Sequence, residues 1–195
     1  MMLQQTQVDR VIPKYEAFIK KFPTAEKLAR AELSDVLKLW SGLGYNRRAK
    51  YLWEAVRGGT KGIGPYTKAA VAVFAHNEPV VMIETNIRTV YLHHLFPRSK
   101  KVNDSQLVPY MVIPRGVASR TWYAALMDYG SYLKQSVPNP SRRSATHTTQ
   151  KKFKGSDREI RGAIVRAHLT GVRVRDFDSA RVRALRAQLR KEGLI

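Results

Sequence analysis

The sequence predicts an all-α fold, and three observations predict it. Apolar residues recur at three- and four-residue steps through most of residues 4–132 and again through 157–192. Helix-capping residues head several of these segments: Thr24, Ser34 and Asp157. A short turn, Gly62-Ile63-Gly64-Pro65, leads into the apolar run Tyr66 to His76, with Pro65 suited to a first helical turn.

Taken in order, residues 4–21 read as a helix, with Val8, Val11, Ile12, Tyr15, Phe18 and Ile19 on one face. Pro13 implies a kink there, or a helix that starts at Pro13. Thr24 heads a short helix with Ala25, Leu28 and Ala29, and Ser34 heads another from Asp35 to Trp40. Gly42-Leu43-Gly44 is a turn. Asn46 to Arg57 reads as a basic amphipathic helix with Arg47, Arg48 and Lys50 outward. Tyr66 to His76 is apolar nearly all round, so a buried helix is expected. Residues 85–96 form the next helix, Ser105 begins a short one, and Thr121 to Tyr132 another. Residues 133–156 are rich in Ser, Thr, Pro, Asn, Lys and Arg, which reads as a basic linker. Two helices follow, from Asp157 and over Ser179 to Glu192, and Gly193 stops the second. The expected division is a core over 1–132, a linker over 133–156 and a small helical module over 157–195.

Composition narrows the function. The 195 residues carry 35 Lys and Arg against 15 Asp and Glu, a net charge of +20. Residues 133–195 hold 16 basic and 5 acidic side chains, so they supply +11 of it. Such an excess implies a polyanionic partner, nucleic acid before any other. No run reaches the roughly 18 apolar residues that span a bilayer, and no signal segment opens the chain, so the expected setting is cytoplasmic. The absence of cysteine excludes disulfides, thiolate zinc sites and thiolate-held iron–sulfur clusters. The histidines show no metal-ligand spacing, and no metal is expected.

Two stretches carry candidate chemistry. Gly62 and Gly64 frame a helix N-terminus whose free N–H groups, Tyr66 and Thr67 among them, suit a phosphate. Glu84 ends the apolar run Val80-Val81-Met82-Ile83 just before Asn86 and Arg88. It reads as a site carboxylate or, equally, as an acid that stabilises the dipole of helix 85–96. The outward Arg181, Arg183, Arg186 and Arg190, with only Glu192 to answer them, favour a phosphate-facing surface over plain solvent-facing charge.

The block Met2-Leu3-Gln4-Gln5-Thr6-Gln7-Val8, the block Leu39-Trp40-Ser41-Gly42-Leu43-Gly44-Tyr45 and the turn Gly62 to Thr67 resemble, in that order, the helix-hairpin-helix DNA glycosylase superfamily. The resemblance covers roughly residues 1–132 and is to its adenine glycosylase branch. It implies a two-lobed helix-hairpin-helix glycosylase fold. The tail over 157–195 resembles part of a winged-helix DNA-binding module. Many relatives carry a four-cysteine iron–sulfur cluster after the region matching Asp128-Tyr129-Gly130; here Gln135 to Arg143 stands in that place, so another structure must brace this end and no cofactor is expected.

The resemblance also implies roles. A glycosylase flips its nucleotide out of the stack and fills the gap. Leu3, Gln4, Gln5 and Thr6 match the wedge region, and Tyr45 matches a tyrosine that stacks beside the lesion. Gly62, Gly64 and Thr67 match the hairpin; Arg47, Arg88, Arg183 and Arg186 are further candidate DNA contacts. Glu84 aligns with the family's catalytic Asp, one methylene longer, and Asn86 is its candidate orienting partner. Tyr66 stands where bifunctional relatives place a lysine nucleophile; a phenol forms no Schiff base, so a monofunctional enzyme is implied. The expected reaction is hydrolysis of the N-glycosidic bond of adenine opposite 8-oxoguanine, by a monomer acting on double-stranded DNA in a bacterial-type nucleoid. The alternatives are a glycosylase for thymine or uracil opposite guanine and a non-catalytic DNA-binding protein on the same fold. Three departures from the family are visible. The branch keeps a base-protonating Glu just before the block at Met2, so either the chain extends beyond Met1 or that group is missing. Within these 195 residues no stretch resembles the large C-terminal 8-oxoguanine-reading domain of many relatives. Only Gly58 to Lys61 join two helices between which the family places another, which reads as a deletion or as a segment missing from the sequence given.

Overall fold

A computed structural model describes residues 1–150 and 152–195. Lys151, within the expected linker, lies outside the described residues. The helices in chain order are α1 (Val8–Lys21), α2 (Ala25–Arg30), α3 (Leu33–Trp40), α4 (Arg47–Ala55), α5 (Pro65–His76), α6 (Thr85–His94), α7 (Asp104–Leu107), α8 (Ser119–Ser136), α9 (Asp157–Thr170) and α10 (Ser179–Lys191). Two 3-10 turns, Val108–Tyr110 and Pro140–Arg143, complete them. Among the described residues there is no β-strand, only an isolated bridge between Val102 and Ser144. The all-α expectation holds.

The chain forms two compact bodies, divided otherwise than the three expected segments. One holds Met1–Ile63 and the C-terminal stretch through Ile195; the other is Gly64–Gln150. In the first body, Val11, Phe18, Leu28, Val36, Leu37 and Trp40 share one core with Ile160, Ile164, Val165, Leu185 and Leu189. The C-terminal helices therefore complete this core and are not a module of their own. Each buried Leu or Ile side chain contributes roughly 1.5–3 kcal/mol, so these helices are integral to the body's stability. Residues 172–178 form no helix, so the winged-helix likeness stays partial.

Several local expectations are corrected. The first helix starts at Val8; residues 2–6 form turns, with Gln5 at φ 56°. Pro13 lies inside α1 without ending it. Only Val11 and Phe18 of the expected inward face are buried, while Val8, Ile12, Tyr15 and Ile19 are exposed. The cap of α3 is Glu32, not Ser34, because the helix begins before the serine. Asn103 caps α7 through a capping box with Gln106, so Ser105 is already inside that helix. α5 is not buried all round: Val73 is covered, but Val71 and Phe74 are exposed.

In the second body, Val73, Met82, Ile87, Leu92, Val102, Leu107 and Tyr123 form the core. The linker expected from residue 133 is partly structured: α8 runs on to Ser136, and the turn Pro140–Arg143 packs against α6 and α8. Val102 donates to Arg143 O at 2.8 Å and accepts from Ala145 N–H at 2.9 Å. The Arg143 guanidinium donates to Leu92 O at 2.9 Å.

Candidate active site

Glu84 is the N-cap of α6, and its Oε2 accepts the Asn86 N–H at 2.6 Å. Glu84 thus caps the helix, and its carboxylate stands within electrostatic reach of Tyr66 and Lys134. Burial raises the Tyr66 phenol above its ordinary value, and the nearby Glu84 charge adds to the shift. Tyr66 is therefore a neutral hydroxyl at physiological pH, a donor rather than a nucleophile. Asn86 follows Glu84 on the first turn, and its Oδ1 accepts from Lys134 Nζ on α8.

The approach of α8 is set by Gly130. A Cβ there would lie 2.0 Å from Asn86 O. Only glycine permits that contact, which brings α8 against the first turn of α6. Arg88 departs from expectation. Its guanidinium is turned to Asp104, with bonds of 2.7 and 2.8 Å, and it is mostly buried. A bidentate pair of this kind ties α6 to α7 rather than reaching for a phosphate.

The glycine turn falls where the two bodies are joined by the chain. Gly62 ends the first body's last turn at φ 74°, and a Cβ would lie 2.1 Å from the Tyr51 ring, so no other residue fits. Gly64, by contrast, is extended at φ −76°, ψ 175°, and serves as the N-cap of α5. Thr67 lies in the first turn of that helix.

In the first body, Leu3 and Gln5 are exposed and Gln4 and Thr6 half-buried. Arg48, expected outward, is buried at 9% exposure and holds this loop from below. Its Nη1 donates to Met1 O at 3.0 Å, to Met2 O at 3.2 Å and to Gln4 O. Its Nη2 donates to Thr6 Oγ1 at 3.1 Å, Leu43 O at 3.1 Å and Gly44 O at 3.2 Å. Tyr45 has φ 49° and lies 5.4 Å from Arg48 and 5.7 Å from Arg158, whose Nη1 donates to its hydroxyl at 3.2 Å. Arg47 is more than half exposed, 3.6 Å from Glu192. Arg183 and Arg186 are exposed on α10. Glu192, expected to answer the α10 arginines, pairs instead with Arg161 and Arg47, and Arg181 pairs with Asp157 at 2.6 Å.

Among the described residues no three His, Asp or Glu converge as metal ligands. No helix of the described residues is long and apolar enough to cross a membrane.

The chain is thus a helical protein with glycine turns leading into helix N-termini, a helix-capping carboxylate and a surplus of cations. Residues 1–107 match the model of the HhH-GPD superfamily base excision DNA repair protein, and the chain belongs to that superfamily. Its sequence is 37% identical over 150 residues to the adenine DNA glycosylase of Mycolicibacterium smegmatis, covering 67% of this chain and 51% of that protein. It is 36% identical over 106 residues to the enzyme of that name from Mycobacterium tuberculosis, covering 46% of this chain and 35% of the other. The Homo sapiens adenine DNA glycosylase is 36% identical over 108 residues, covering 46% and 20%. The chain thus spans about half, or less, of the length of these relatives. The 150 aligned positions of the first take in 67% of 195 residues, about 131, so about 19 face a gap in this chain.

Sequence reasoning missed Arg48, Lys134 and Tyr51. Arg48 and Lys134 read as surface cations because basic residues on amphipathic helices face water by default. Gly130 carried a signal for Lys134: a glycine inside an apolar helical pattern marks a close approach.

Proposed function

We propose that this protein is a monofunctional DNA glycosylase that hydrolyses the N-glycosidic bond of an extruded adenine, with the adenine opposite 8-oxoguanine. The observation that carries the reading is the Glu84 carboxylate, held by the Asn86 N–H and flanked by Tyr66 and Lys134. Similarity to adenine DNA glycosylases supports the choice of base. As the bond from sugar to base breaks, the base leaves with the electron pair and positive charge builds on the sugar. A fixed carboxylate stabilises that charge in place. Water then adds at the anomeric carbon; its hydroxyl stays on the sugar and its proton balances the departing base. Tyr66 offers no amine, so no Schiff base forms and the strand stays uncut. In this reading no metal or cluster takes part in the cycle.

In this reading the loop Leu3 to Thr6 enters the gap left by the base, and Tyr45 stacks beside it. Gly64 and the N–H groups of Tyr66 and Thr67 hold a phosphate. Arg47, Arg183 and Arg186 meet the backbone electrostatically. The protein acts as a monomer on damaged duplex DNA in the nucleoid. The gap of about 19 positions falls, on this reading, between Arg57 and Gly62, where Gly58 at φ 88° and the Gly59 N–H bond to Glu54 O at 2.9 Å turn the chain sharply.

One observation favours a second reading: as the cap of α6, Glu84 already has a structural task, which a DNA-binding protein without chemistry would share. Single-turnover assays on duplexes carrying A opposite 8-oxoguanine, T opposite G and U opposite G separate them. Adenine release from the first alone is expected. Release from the other two alone points to the mismatch enzymes, and tight binding with no release overturns the catalytic reading.

A further inference from the structure

Asn86 is held between two groups of fixed polarity. Its N–H donates to Glu84 Oε2 at 2.6 Å, and its Oδ1 accepts from Lys134 Nζ. An ammonium has donors only, so the amide oxygen must be the atom that faces it. The amide NH2 is then turned away from Lys134. What brings the lysine there is backbone packing. Gly130 lies against Asn86 O, where a Cβ would meet the oxygen at 2.0 Å, and Lys134 is one helical turn further along the same face of α8.

We propose that Lys134 is a positioning residue acting through Asn86: it fixes the side-chain amide so that its donors, not its acceptor, are presented to the extruded nucleotide. The proposal rests on the glycosylase reading above. Burial lowers the Lys134 ammonium below the ordinary lysine value, the Glu84 charge opposes that shift, and Arg88 adds to it. Lysine and carboxylate are thus within electrostatic reach of each other. Arg88 is no substitute, since Asp104 holds it at 2.7 Å.

The test compares wild type, K134M, K134R, N86A and the double variant N86A/K134M. K134M keeps most of the stem and removes the charge. Two quantities are read: the single-turnover rate at saturating enzyme and the Kd for an uncleavable duplex. K134M is expected to lose roughly tenfold to a hundredfold in rate, the range that small misplacements produce, with Kd changed less than about twofold. K134R restores most of the rate, and the double variant is no slower than the slower single one, because the two residues act as a unit. A K134M rate equal to wild type overturns the proposal, as does a loss of binding as large as the loss of rate. If wild type cleaves none of the duplexes, the glycosylase reading fails separately. The Asn86 side-chain amide resonances, assigned by their disappearance in N86D, then decide: a shift in K134M supports the orienting role, and unchanged resonances overturn it.

Discussion

Arg48 Nη2 donates to Thr6 Oγ1 at 3.1 Å, and through this bond one buried guanidinium joins the N-terminal loop to the glycine turn after α3. The two sequence blocks that carry much of the family likeness therefore meet on a single side chain. The N-terminal segment Met1 to Thr6 has no helical ladder of its own, and the carbonyls of Met1, Met2 and Gln4 take a donor from Arg48. The six acceptors lie at fork-like positions that a planar guanidinium reaches and a lysine ammonium does not.

Replacing Arg48 should thus unfold the loop rather than trim a surface. Hydrogen bonds from a charged donor are worth roughly 1.5–3 kcal/mol each, and the carbonyls left behind are partly shielded from water. Arg48→Met is expected to cost about 3 kcal/mol or more, lowering Tm by roughly 6 °C or more for a chain of this size. Arg48→Lys should recover less than half of that. Thermal denaturation followed by circular dichroism measures both; a loss within a degree would show that the loop stands without the arginine.

These relationships mark the limit of what the sequence made legible. Helix positions followed from apolar spacing, and Thr24 caps α2 as its chemistry suggests, accepting from Lys27 N–H. The exposures of Val71 and Phe74 did not follow, because an apolar helix reads as buried whether or not the chain supplies partners for every face. Long-range polar contacts were the least visible. Lys134 is 48 residues from Asn86 and Arg48 is 42 from Thr6, and no local pattern encodes either pairing. Glu84 was legible as a candidate from its place after an apolar run; that it also caps α6 needed the backbone.

Gly62 offers a test in which two causes separate. An alanine there must adopt φ near 74° and also push aside the Tyr51 ring, 2.1 Å from its Cβ. Gly62→Ala is expected to destabilise by about 2 kcal/mol or more, combining left-handed strain of roughly 1–2 kcal/mol with overpacking. Adding Tyr51→Ala should relieve only the packing part relative to Tyr51→Ala alone. Full relief in that double-mutant cycle would mean the backbone strain is absent.

Glu84→Gln keeps size and a hydrogen-bonding oxygen while removing the charge. The cap on α6 can still accept from Asn86 N–H, so stability should fall by no more than about 1 kcal/mol. Cleavage should fall by a hundredfold or more, the scale seen when a transition-state electrostatic partner is lost. Duplex affinity should be nearly unchanged. Rates and Kd measured on the same preparation decide it; cleavage that survives removes Glu84 from the chemistry.

Tyr66, Tyr91 and Tyr123 all have phenols raised by burial, the first further raised by Glu84 and the second by Tyr123. A raised folded-state value means that the neutral form is favoured in the folded protein. The associated stability is complete below the unfolded tyrosine value near 10 and is lost as pH rises through the folded values. Tyr66, Tyr91 and Tyr123 should titrate late in an ultraviolet pH titration, and stability should decline above pH 10. Ionisation of Tyr66, Tyr91 and Tyr123 at the ordinary phenol value in the folded protein would contradict the burial.

Cations that look alike in the sequence should behave differently in salt. Arg183 and Arg186 are exposed on α10, and neither has an acidic partner among the described ion pairs, whereas Arg88 is bound by Asp104. A phosphate contact releases counterions, so the slope of log K against log salt counts the contacts made. Arg183→Ala and Arg186→Ala should each reduce that slope by about 1 and weaken binding equally for matched and mismatched duplexes. Arg88→Ala should leave the slope unchanged and instead lower the stability of the second body, since it strips Asp104 of its bidentate partner. A salt slope that falls on losing Arg88 and not on losing the α10 arginines would move the DNA-facing surface from the C-terminal helix to the first turns of α6.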